Sequence, residues 1–155
     1  MKKTELLLKT GLCCMACDGC IAPEEIEMLN SILISNPQLG SANAKNMLQE
    51  YTHSLSSEGM RFVNEYLSDL ASANLNIEDA LEIIELSFSI IDADNEIEYA
   101  EVAFFKKIRR CLSVTDEAIL SKWPNKEYFL LPDIMDKAPL DFDFSGVNFN
   151  EILNN

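Results

Sequence analysis

Apolar residues recur at helical spacing along most of this chain. Leu6, Leu7, Leu12 and Met15 mark a first helix that should end near Cys17. A second starts at about Pro23, carries Ile26, Leu29, Ile32 and Leu33 on one face, and stops before SNPQLG. A third follows Ser41, and a fourth begins at SSEG and holds Phe62, Tyr66, Leu67 and Leu70. Asn76 is a natural N-cap for a fifth, with Asp79 three residues on and Leu81, Ile84, Phe88 and Ile91 along it. Val102, Phe105, Ile108 and Leu112 mark a sixth. Thr115 starts a short seventh, whose first turn places Asp116 and Glu117 at the positive end of the helix dipole. No parallel-sheet pattern appears. The expected fold is all-α, a compact bundle of about seven helices over residues 1–122.

Beyond Trp123 the pattern changes. Prolines at 124, 132 and 139 forbid long helices, so residues 123–155 read as an extended arm. In LDFDFSGVNFNEIL, Leu140, Phe142 and Phe144 alternate with Asp141 and Asp143, a period of two. A disordered linker rarely carries so many large apolar side chains. The phenylalanines should fill a groove on the chain's own domain, on a second copy to give a homodimer, or on a partner protein. Self-docking is favoured, because solitary exposed phenylalanines invite aggregation.

Charge narrows the partners. Lys+Arg number 12 and Asp+Glu 26, a net charge of -14 over 155 residues. Such a surface repels phosphate backbones, which argues against nucleic acid, and suits divalent cations or a basic protein surface. No apolar run approaches the ~18 residues of a membrane span. The opening MKKTELLLKTGLCC mimics a signal peptide, but Lys9 interrupts it and no small-residue cleavage site follows. Leu12 also precedes Cys13, where a lipoprotein signal wants a small residue. A cytoplasmic chain with reduced cysteines is expected.

Four of the five cysteines, Cys13, Cys14, Cys17 and Cys20, fall within eight residues. Cys14, Cys17 and Cys20 give the front of a ferredoxin-type signature without its fourth ligand. From Cys13 the spacing is that of radical S-adenosylmethionine enzymes, which need a far larger barrel. A zinc site would need Cys111 or the single His53 at no recognisable spacing. The cysteines are therefore read as small apolar residues at a tight helix contact, with Cys20 the one in the loop. His53 has no nucleophile setting, and no phosphate-cradling glycine loop occurs, so no enzyme activity is expected.

DGCIAPEE, residues 18 to 25, aligns without gaps to DNEIEYAE, residues 94 to 101. Both read Asp, Gly or Asn, x, Ile, three further residues, then Glu, and apolar helix flanks each copy. This is an internal helix–acidic turn–helix repeat. Each copy has a plain structural explanation. Gly19 and Asn95 tolerate positive φ, Pro23 suits the first helical position, and Glu25 or Glu101 at N3 can reach back to the N-cap amide as half a capping box. Two copies packed about a pseudo-two-fold axis would bring Asp18, Glu25, Asp94 and Glu101 together. Four converging carboxylates repel unless a cation neutralises them, and an all-oxygen set suits calcium or magnesium. The second copy is no EF-hand. Counting from Asp92, position 6 is Ile97 and position 12 is Ala103, where that loop needs Gly and Glu.

The paired motif resembles the TerB-like family, which includes tellurite-resistance TerB proteins and the N-terminal domain of DjlA-type co-chaperones. The resemblance covers roughly residues 3 to 121. It implies an all-helical, non-enzymatic domain associated with tellurite and stress resistance, often near membrane complexes. It also implies divalent metal at the acidic positions that Asp18, Glu25, Asp94 and Glu101 match. Asn95 departs from the usual Gly, and cysteines stand where alanines are common. Two readings follow: a metal-binding stress protein that acts on protein partners, and a pure interaction module whose acidic turns are structural caps.

Overall fold

The computed structural model describes residues 3–19, 21–35, 42–93, 95–132, 142 and 144–153. They form α1 (Lys3–Ala16), α2 (Pro23–Ser35), α3 (Ala42–Glu58), α4 (Met60–Ser72), α5 (Ile77–Asp92), α6 (Tyr99–Arg110), α7 (Asp116–Lys122), a 3-10 helix (Pro124–Phe129) and α8 (Asn150–Leu153). No strand occurs among the described residues, and the all-α bundle is as the apolar spacing predicts. The expected caps form: Asp79 donates its backbone N–H to Asn76 Oδ1 at 2.8 Å, and Ala118 to Thr115 Oγ1 at 3.2 Å.

The core is built around α1, which touches α2, α3, α4, α5 and α6. Apolar residues cover all its sides rather than one stripe, and Leu6 to Leu8 and Thr10 to Ala16 are all buried. Close packing sets one residue here. A Cβ on Gly11 would lie 3.0 Å from Leu29 Cδ1 and 4.0 Å from Leu86 Cδ2, so α1 meets α2 and α5 where it has no side chain. The one hydroxyl in this face is satisfied. Thr10 Oγ1 donates to the Leu6 carbonyl at 2.7 Å, which leaves the buried Tyr66 hydroxyl to donate to Thr10 at 2.5 Å.

The repeat organises the bundle. α1–α2 and α5–α6 are the two helix–turn–helix units. Besides the α1–α5 contact, α1 touches α6 and α5 touches α2, the exchange expected of a pseudo-two-fold pair.

Residues 123 to 129, read from their prolines as the start of the arm, close the core. Phe88 stacks on Phe105 at 4.6 Å, and buried Phe129 meets them edge-on at 5.3 and 5.4 Å. Lys126 lies in the same knot, with Nζ 2.7 and 2.5 Å from the Asp92 carboxylate oxygens and over the rings of Phe88 and Phe129.

The described part of the arm lies on its own domain. The Phe142 ring meets Phe104 edge-on at 5.2 Å, and its N–H donates to Met60 Sδ at 3.4 Å. Phe144 sits beside Gly59, α8 packs on α3, and Ile152 is buried. Gly146 rests against the first acidic turn, where a Cβ would stand 3.1 Å from the Gly19 carbonyl oxygen. Leu140, Asp141 and Asp143, the other members of the alternation, lie outside the described residues.

Candidate functional site

The two acidic turns are built alike. In the first, Gly19 has φ 81 and donates to the Ala16 carbonyl at 3.1 Å; in the second, Asn95 has φ 60 and donates to Asp92 at 3.1 Å. Both backbones are left-handed, which glycine adopts without strain and asparagine tolerates. The helix starts match too. The Ala22 N–H donates to Glu25 Oε1 at 2.9 Å, and the Glu98 N–H to Glu101 Oε1 at 2.9 Å. The Ala22 carbonyl accepts from Glu25 and Ile26, and the Glu98 carbonyl from Glu101 and Val102, at 3.1 and 3.3 Å in each case. The second turn adds a reciprocal side-chain contact that Ala22 cannot make, since Glu98 itself accepts from the backbone at N3.

Both capping glutamates are buried, at 2% exposure each. Both also act on the end of α1. Burial pushes the Cys14 thiol up to about 12; contact with the Ser87 hydroxyl opposes this, and the charges of Glu101 and Glu25 add to it. Cys17 is raised well above the ordinary thiol range, first by burial, then by Cys14, Glu101, Asp18 and Glu25. One carboxylate from each repeat, Glu25 and Glu101, therefore bears on both sulfurs, and Asp18 bears on Cys17 alone. Asp94, the fourth of the set, lies outside the described residues. Among the described residues no group of three or more His, Cys, Asp or Glu side chains could hold a metal ion. The donor chemistry is that of a hard cation, with carboxylate oxygens only, and one oxygen of each glutamate is committed to its helix cap.

The cysteines behave as thiols. Cys13, Cys14 and Cys17 are buried, and the Cys17 thiol donates to the Cys14 carbonyl at 3.2 Å. Cys13 too is raised well above its usual range, by burial first. A metal or a redox partner takes a thiolate, and this environment disfavours that form. Cys20 lies outside the described residues.

The repeats differ at their isoleucines and in one cation. Ile21 is 7% exposed, whereas Ile97 is 42% exposed beside the exposed Tyr99. Asp92, two residues before Asp94, holds Lys126, while Ala16 takes the matching place in the first copy. Sequence reasoning missed Lys126. A single lysine after a proline reads as solvated, and only its aromatic neighbours Tyr128 and Phe129 hinted at burial.

These features define an all-helical domain with duplicated acidic turns. A family model described as tellurite resistance protein TerB matches residues 7–121, and the chain belongs to that family. No curated protein and no solved structure matches the chain. Among the described residues no helix is long and apolar enough to cross a membrane.

Proposed function

We propose that this TerB-family chain is a non-enzymatic, cytoplasmic stress-response protein. It binds a divalent cation, calcium or magnesium, through its paired acidic turns and acts by protein–protein interaction, with partners that include a membrane-associated complex. The observation that supports this is the duplicated turn: two helix starts of the same geometry whose glutamates face the same end of α1. Asp18, Glu25, Asp94 and Glu101 would hold the ion, which offsets their mutual repulsion in a chain of net charge -14.

The cap hydrogen bonds favour a second reading, in which the glutamates only start helices and the chain is an adaptor that docks through its acidic face or its arm. A calcium titration followed by melting temperature separates the two. Cation bound to the native state raises the midpoint with concentration, and Asp18→Asn with Asp94→Asn removes the response. A midpoint that stays constant through millimolar calcium and magnesium favours the adaptor.

A further inference from the structure

This acidic chain reverses its charge in one place. Lys106, Lys107, Arg109 and Arg110 are four of its 12 basic residues within five positions. Basic side chains complement the carbonyl end of a helix, which explains their presence at the end of α6 but not how they are held. A cavity of about 180 Å³ lies there, lined by Lys106, Arg109, Arg110, Asp116 and Leu130. Two of its cations are fixed by neighbours: Arg109 Nη2 donates to Asp116 Oδ1 at 2.6 Å, and Lys106 Nζ donates to the Leu131 carbonyl at 2.5 Å. Among the described residues the lining sets three cations against one carboxylate.

We propose that this cavity is a binding site for a small oxyanion of the phosphate class. Cations held close together repel, and a doubly charged anion among them offsets that cost. Guanidinium forks match phosphate oxygens in geometry, and a lysine adds a point charge. Because Arg109 and Lys106 are already oriented, little side-chain freedom is lost when the anion arrives. The site is separate from the acidic turns, so it stands whether or not they take a cation.

Inorganic phosphate titrated into the full chain tests this, read by calorimetry and melting temperature against sodium chloride at equal ionic strength. Phosphate should raise the midpoint beyond the chloride control. Arg110 is exposed, so Arg110→Ala is a surface change; it should weaken phosphate binding about tenfold, the loss of one charge-assisted hydrogen bond. Arg109→Lys keeps the charge and loses the fork, and should weaken binding as well. Phosphoserine as a second probe tells the sources apart: tighter binding than inorganic phosphate points to a phosphate ester, weaker binding to the free ion. No effect of phosphate beyond the chloride control overturns the proposal. So does equal phosphate affinity in the wild type and both variants.

Discussion

Glu25 and Glu101 each reach back three residues to hold a helix-starting amide at 2.9 Å, one in each half of the chain. The two bonds are local, yet both carboxylates are buried and both raise the same two thiols. The side chains that cap the two helices are thus the same pair that bears on the thiols.

Glu25→Ala and Glu101→Ala should each cost about 1–2 kcal/mol, the upper range for losing a helix cap. The two losses should be similar, because the surroundings repeat. Urea unfolding of each variant measures them. A much smaller loss at either position would mean that its cap bond contributes little.

Gly19 and Asn95 occupy left-handed backbone with φ 81 and 60. Asn95→Gly should change stability by less than about 0.5 kcal/mol, while Asn95→Val should cost about 1–2 kcal/mol. Thermal melts of the pair test whether the turn, rather than the side chain, sets residue choice here.

Lys126 ties the 3-10 helix to the end of α5 through Asp92, whose side chain is 41% exposed. That exposure weakens the ion pair, so Lys126→Met, which keeps the apolar stem, should cost only about 1 kcal/mol. Combined with Asp92→Asn, it should show coupling in a double-mutant cycle. Near-ultraviolet dichroism of Trp123, edge-on to Phe88 at 5.3 Å, reports whether the knot loosens.

Phe142 closes over Phe104 with 9% exposure. Phe142→Ala should cost roughly 3 kcal/mol, the low end for truncating a buried phenylalanine. Deleting residues 139 to 155 should cost a few kcal/mol. Unchanged melting of the truncated chain, with only partner binding lost, would mean that the arm serves a partner.

Alkaline pH should unfold the protein through its thiols. Cys14 titrates at about 12 when folded against 9.0 as its ordinary value, and Cys13 and Cys17 shift the same way. Below pH 9 both states are protonated and the thiols favour neither. Above it the unfolded chain releases protons that the folded chain retains. Stability then falls by about 1.4 kcal/mol per pH unit for each thiol, until the folded pKa is passed. Chemical denaturation between pH 8 and pH 11 measures the slope, and Cys14→Ala should lower it.

The helices were legible because their signals are local: apolar spacing, Asn76, Thr115, and Pro23 with Glu25. The matched turns were legible because a gapless repeat carries its geometry with it. What the sequence hid depends on packing across the chain. Phe129 follows Pro124 and so reads as arm, yet Phe88 of α5 and Phe105 of α6 meet its ring edge-on. Lys126 is buried because Asp92 and two rings await it, and no spacing along the chain announces that. The gathering of Lys106, Arg109, Arg110 and Asp116 around a cavity also joins two helices that periodicity treats separately.

The enclosure of α1 on every side has a consequence for biosynthesis. It leaves the ribosome before all five helices that sheath it, and its partner α5 ends only at Asp92. Until α5 and α6 follow, a segment with leucines on all faces and no charged residue after Lys9 has only α2, α3 and α4 to cover it, and the side that meets α5 and α6 stays open. Contacts this distant in sequence form late. The nascent chain therefore presents one apolar side of α1 to chaperones until the second repeat emerges, and substitutions that delay α5 should lower yield before they lower the stability of the finished protein.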